Sequence, residues 1–317
     1  MIKQILVHLM VAGFSFQAFS QGCSDAGFCT MGAMKPDQPF NKKVPIKLRS
    51  MEVSFYRGTT TLSPVVYVAT LDMSFSIIDS KTFLQLKLPY QSVTGNFGDT
   101  GGLGDISYCL TRNLFSSEKY DISVTVGGKI PSNNSNLKDD VNDLSLPMYY
   151  QTSLGTYDAI AGISMVNRKW LIATGIQHPF NQNENQFKWG DWTPVYKDGE
   201  GVDYVLEYDR CYELKRGTDV MLRVERNFRF SRFNFTVGVL PIWRITKDEV
   251  FNTNTLEREK LDGTLGMALS GIVTAGYNFN VKSGIRLLIG KKIMQRDVNP
   301  DGLTREQVST LSYFYRF

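Results

Sequence analysis

The chain has 317 residues, 35 Lys and Arg against 31 Asp and Glu, a formal charge of +4, and 12% aromatic residues. So mild a positive balance does not argue for a nucleic-acid partner. After the first twenty residues no apolar run reaches the roughly 18 needed for a spanning helix, which excludes a helical membrane protein.

The N-terminus, "MIKQILVHLMVAGFSFQAFSQG", carries one Lys, an apolar stretch through Phe16, and Ala18 and Ser20 at the small-residue positions before Gln21. It reads as a secretory signal over residues 1–20. Ser20, Gln21 and Gly22 make a poor lipobox, so Cys23 is not expected to be lipidated. Residues 21–43 hold Cys23, Cys29, Met31, Met34 and two phenylalanines. Such a segment can fold back as a plug or run as a periplasmic lead-in.

From residue 44 onward the apolar residues alternate with polar ones, which is the period of a strand with two unlike faces. Strands are expected at about 48–58, 64–78, 80–90, 105–115, 120–130, 155–167, 169–180, 217–228, 231–245, 264–279, 282–293 and 307–317. In "GTDVMLRVERNFRF", Val220, Leu222, Val224, Phe228 and Phe230 share one face, broken by Arg226. Most of these strands exceed the roughly 5–6 residues of globular strands and are long enough to cross a bilayer at a tilt.

Short turns alternate with long polar connections at about 91–104, 131–154, 181–216, 246–263 and 294–306. That asymmetry is the pattern of a membrane barrel with tight periplasmic turns and long external loops. The expected fold is therefore all-β: one transmembrane antiparallel β-barrel of about twelve strands, range 10–14, over residues 44–317. The expected location is the outer membrane of a bacterial cell.

The final strand, "LSYFYRF", places Leu311, Tyr313, Tyr315 and Phe317 on one face. It is expected to close the barrel against the first strand, with those residues facing lipid and serving as the signal that barrel-assembly machinery reads. In an exported chain Cys23 and Cys29 could close a small loop and Cys109 and Cys211 could form a second disulfide. The alternative is that they are free thiols. With His8 in the signal, His178 is the mature chain's only histidine, and neither a metal nor a cofactor is expected. No Gly-x-Ser-x-Gly elbow accompanies His178, so no enzyme is expected.

Three stretches in order, "LPYQSVTGNFGDTGGLGDISYCLTRNLF", "YDISVTVGGKIPS" and "LGTYDAIAGISMVNRKWLIATG", resemble the outer-membrane family of meta-pathway phenol degradation proteins. That family is related to the long-chain fatty-acid and aromatic-hydrocarbon transporters. The resemblance covers residues 80–180. It implies passive transport of small hydrophobic or aromatic solutes, and an N-terminal hatch in the role open to residues 21–43. Ser132 and Asn133 stand where the family pattern carries Thr-Gly. Read without the family, Gly101, Gly102 and Gly104 suit a sharp turn at positive φ, Asp105 suits an acceptor of neighbouring backbone amides, and Gly127–Gly128 marks a bulge or close approach.

If the apolar faces meet lipid, Asp72, Asp121, Lys129, Arg223, Glu225, Arg229, Arg244 and Arg286 line the lumen, either selecting solutes or plugging it with ion pairs. Phe180, Phe187, Trp189 and Trp192 in the external loops are candidates for capturing an apolar ligand. The leading expectation is uptake through a partly plugged lumen or a lateral opening. The alternative is a sealed barrel that is a structural or assembly partner of another envelope protein.

Overall fold

The computed structural model describes residues 46–195 and 201–317. The signal, the 21–43 segment, and Cys23 and Cys29 lie outside the described residues. The strands are β1 (Lys47–Thr59), β2 (Val65–Ser76), β3 (Thr82–Gly95), β4 (Gly98–Leu103), β5 (Ile106–Ser116), β6 (Asp121–Ile130), β7 (Asp158–Val166), β8 (Trp170–Pro179), β9 (Asp219–Phe230), β10 (Phe233–Arg244), β11 (Glu249–Asn252), β12 (Glu257–Lys260), β13 (Gly266–Asn278), β14 (Ser283–Met294) and β15 (Gln307–Arg316). Twelve of them form a closed antiparallel barrel, each paired with its neighbour in chain order. The ring closes where β15 pairs with β1, Tyr313 opposite Val53 and Phe314 opposite Glu52. Closure leaves no edge whose N–H and C=O groups would face hydrocarbon unpaired.

β3 is long enough to serve two partners. Its first half, Thr82–Lys87, pairs with β5, and its second half, Tyr90–Gly95, pairs with β4 in a hairpin that rises beyond the barrel wall. Pro89 lies at the joint between the two, where Gly104 N donates to Pro89 O at 2.9 Å. A proline is tolerated there because a strand junction needs no donor from it. Much of the loop expected over 91–104 is therefore strand. The positive φ of this hairpin falls at Gly98 (124°), while Gly101 and Gly102 lie in β4. Gly102 is small for another reason: a Cβ on it would come 2.3 Å from Asn133 Nδ2.

The two faces of the wall differ as the alternation requires. Phe233, Phe235, Val237 and Val239 of β10 are exposed on the outside, as are Ile285, Leu287 and Ile289 of β14. Aromatic residues ring both ends of this band: Phe115, Trp170, Phe228, Phe230, Phe233 and Phe317 at the turn end, Tyr67, Tyr90, Tyr157 and Phe180 at the loop end. An apolar band between two aromatic girdles is the exterior of a barrel that sits in a bilayer. Arg226, the break in the apolar face of β9, lies over the Trp170 ring at 4.8 Å and the Phe228 ring at 5.8 Å, so its charge is carried by the turn-end girdle.

The inside is layered. An apolar belt of Cys109, Ile160, Leu171, Ala173, Met221, Leu240 and Ile272 packs within the wall. Around it stand buried hydroxyl and amide side chains, among them Ser74, Gln85, Thr111, Thr125, Ser270 and Ser312. Gly127 lets β5 and β6 approach closely, since a Cβ there would lie 2.2 Å from Tyr108 O.

Candidate functional site

The long connections fold together over one mouth of the barrel. They are residues 131–157, 180–195, 201–218, 245–265 and 295–306, with two short helices, α1 (Trp189–Trp192) and α2 (Gly201–Leu206), and the β11–β12 hairpin. Their core is aromatic. Phe97, at the tip of the β3–β4 hairpin, stacks on Trp192 with ring centroids 4.5 Å apart, meets Tyr208 at 5.1 Å, Tyr204 at 5.3 Å and Tyr150 at 5.8 Å.

The hydroxyls of that cluster bond to one another: Tyr204 to Tyr208 at 2.6 Å, and Ser63 Oγ to Tyr150 at 3.1 Å and to Tyr204. Burial raises the Tyr150 hydroxyl to about 12 and raises that of Tyr208 as well, so both stay neutral at physiological pH. The indoles are anchored by their N–H groups, Trp192 Nε1 donating to Ser145 O and Trp189 Nε1 to Tyr208 O, each at 2.9 Å. Buried Asn185 ties two loops by donating to Ser135 O at 3.1 Å and Leu146 O at 3.0 Å.

Beneath the aromatic core a buried ion network joins the cap to the wall. Arg244, the last residue of β10, is 3% exposed and reaches three carboxylates: Asp219 of β9 (Nε to Oδ1, 2.6 Å), Asp301 (2.8 Å) and Asp248. Arg296 faces Asp301 at 3.5 Å. Arg216 pairs with Asp158 at the start of β7, and Lys129 of β6 faces Asp105 at 3.5 Å. Asp105 also accepts from Ser153 Oγ (2.6 Å) and from the backbone N–H of Leu154 (3.2 Å), an amide 49 positions along the chain where neighbouring turn amides were expected.

The loop carboxylates are not equivalent. Burial would raise Asp301, but Arg296, Arg244 and Arg216 outweigh it and hold it well below the carboxylate range. Burial raises Asp248 and Asp209, and the nearby Asp301 charge adds to the rise in both.

The residues singled out in the sequence fall into different places. Asp72 is buried, accepting from Gln85 Nε2 at 2.8 and 2.7 Å. Arg223 Nε donates to Glu225 Oε1 at 2.7 Å, and Arg286 stands 3.7 Å from Glu52 and 5.4 Å from the Phe314 ring. Arg244 and Lys129 belong to the network under the cap. Asp121, bonded to Ser116, and Arg229 are at the turn end of the wall, away from it.

Of the four aromatics expected to capture a ligand, Trp192 is fully buried because the cap takes its ring into its own core, and Phe187 is buried too. Phe180 is on the outer wall, its ring edge-on to His178 at 5.5 Å. His178 Nδ1 in turn bonds Thr218 Oγ1 at 2.8 Å. Trp189 alone of the four is half-exposed in the cap. Cys109 and Cys211 are both buried, one in the wall and one in the cap; the disulfide left open between them does not form, because the fold holds them in separate layers.

Sequence reading missed Asp158, Arg216, Asp219, Asp248 and Asp301. Their one common signal is position: each lies at a strand end or in a long loop, where an isolated charge reads as solvated.

Cavities among the described residues bear on the cap. One, of about 40 Å³, lies between cap and wall beside Lys87, Gln91, Asp105, Lys129, Gln151 and Arg305; it has room for about three waters. Another, of about 390 Å³, is a groove on the cap between α1 and the β11–β12 hairpin.

No family model and no curated protein matches the chain. Solved structures of similar shape are outer-membrane barrels at low identity. The NanC porin is 8% identical over 86% of this chain and 100% of its own, with a TM-score of 0.46. The CymD monoaromatic hydrocarbon channel is 11% identical over 87% and 89%, TM-score 0.38. Outer membrane phospholipase A from Escherichia coli is 8% identical over 86% and 98%, TM-score 0.37.

Proposed function

We propose that the protein is a bacterial outer-membrane channel for passive uptake of small solutes, held shut at its external mouth by the folded cap. The observation that carries this reading is where the obstruction lies. The cap is built from loops, α1, α2, β4 and the β11–β12 hairpin, all outside the twelve-strand ring, and only the upper half of β3 ties it into the wall ladder. Loops can rearrange without breaking the wall ladder, so closure of this kind suits a gate.

The apolar belt of Ile160, Leu171, Met221, Leu240 and Ile272 inside the wall supports the finer reading, that the solutes are small hydrophobic or aromatic compounds. Bilayer lipid is the partner of the outer face. Leu311, Tyr313, Tyr315 and Phe317 are the strand we assign to recognition by the barrel-assembly machinery.

A second reading has its own support. The burial of Arg244 among three carboxylates and of Trp192 in the cap core suits a permanently sealed barrel that binds a partner protein. Single-channel conductance and liposome swelling with small aromatic solutes separate the two. The folded mature protein is compared with a form lacking residues 21–43 and with a cap-loosened Trp192→Ala form. Conductance or uptake that appears on loosening supports the channel. Barrels that stay closed in all three forms support the sealed scaffold.

A further inference from the structure

The groove on the cap has a chemistry distinct from that of the lumen. Its walls are the rings of Trp189, Tyr212 and Phe251, and its rim carries Asp191, Arg210 and Asn252. Tyr212 and Phe251 lie 6.2 Å apart at 34°. Trp189 is fixed by its indole bond to Tyr208 O, and Lys188 Nζ covers the other ring at 4.8 Å from the Tyr212 centroid. The platform is therefore held in place before anything binds, which lowers the ordering cost of association.

The polar rim is equally set. Arg210 grips Glu259 through two bonds, Nη1 to Oε2 at 2.8 Å and Nη2 to Oε1 at 3.1 Å. Asn252 Nδ2 donates to the same Glu259 at 3.3 Å, and Asn252 Oδ1 receives Asn254 N at 3.0 Å. Such a pair neutralises its own charge yet keeps N–H donors and carboxylate lone pairs to spare, because a guanidinium has five N–H groups and a carboxylate about four acceptor sites. Of the charges that line the groove, Asp191 offsets Lys188, and Arg210 is offset by Glu259 behind it, so no net charge selects an ion.

An aromatic floor with a neutral rim of planar donors and acceptors suits a ring that is apolar on its face and hydroxylated at its edge. A bare arene would cover Asp191 and the N–H groups that Arg210 and Asn252 keep to spare without bonding them, and covering polar groups without a partner is costly. A sugar ring lays its C–H face on Trp189 or Tyr212 and offers neighbouring hydroxyls to the Arg210–Glu259 pair, Asn252 and Asp191. We infer that this groove is a binding site for a neutral saccharide of one or two rings, presented at the outer end of the barrel. It gives the cap a recognition function independent of whether the lumen conducts.

The test titrates the folded protein with neutral methyl glycosides and with maltose, following tryptophan fluorescence, beside toluene and phenol as arene probes. Folding of every variant is checked by heat-modifiable gel mobility. Saturable binding of at least one saccharide is expected, weakened by about tenfold or more in Trp189→Ala. Because Trp189 also anchors the cap, Tyr212→Ala and Asn252→Ala are measured as well, and each is expected to weaken binding comparably. The inference is overturned by any of three results: no saturable response to any saccharide, a response unchanged in Tyr212→Ala and Asn252→Ala, or arenes occupying the groove where saccharides do not. Binding is read on the closed protein, so failure of the channel reading leaves this result intact.

Discussion

Arg244 on the barrel wall and Asp301 in the last long connection meet at 2.8 Å, both with essentially no side-chain exposure. One guanidinium thereby joins a wall strand to the loop between β14 and β15, and through Asp248 to the loop after β10. Removing one partner of a buried pair leaves the other charge uncompensated, at a cost of about 3–5 kcal/mol. Arg244→Met is expected to loosen the cap, seen as faster proteolysis of residues 245–265 and 295–306 while the barrel keeps its heat-modifiable mobility. Cleavage at the wild-type rate would show that the pair does not hold the cap.

The same network sets a pH dependence of mixed sign. Asp209 and Asp248 have raised values in the folded protein, so their contribution to stability is present at low pH and lost as pH rises through those values. Asp301 is lowered, so its contribution is present above the ordinary 3.8 and is lost as pH falls below it. Hydrogen exchange in the cap should therefore slow as pH falls from neutral toward 3.8, once intrinsic exchange rates are divided out, and quicken below it. In Asp209→Asn the slowing should shrink; an unchanged profile would remove Asp209 from the account.

Trp192 stacks on Phe97 and is buried on all sides by the cap. Trp192→Ala is expected to cost about 3–5 kcal/mol of cap stability. Denaturant melts followed by near-ultraviolet dichroism of the cap aromatics, beside far-ultraviolet signal from the wall, should separate: the first transition moves and the second stays.

Gly127 touches the neighbouring strand so closely that a methyl group would meet Tyr108 O at 2.2 Å. Gly127→Ala is expected to destabilise the wall by about 1–3 kcal/mol, since overpacking forces backbone shifts. Urea unfolding of the refolded barrel measures it, and an unshifted midpoint would mean β5 and β6 separate freely.

Cys211 is buried, and burial raises its thiol to about 12. Together with buried Cys109 it should resist maleimide in the native state and label only after denaturation, with no reductant needed. Labelling that requires reductant would reveal a bridge between them.

Alternation along the chain was enough to place the twelve wall strands, to choose which faces of β9 and β10 turn outward, and to set β15 against β1, because lipid outside and packing inside impose a period of two on every strand. The Gly127–Gly128 pair likewise marked the close approach at Gly127. The cap was not legible in that way. Ser63 meets Tyr204 across 141 positions and Phe97 meets Tyr150 across 53, and no local periodicity records such a meeting. Trp192 and Asp301, polar-loop residues by neighbourhood, became core because four connections converge on one mouth. Strand periodicity is a property of each segment and its surroundings, and the sequence carried it alone; the burial of a loop residue depends on which other loops reach it, and only the closed barrel decided that.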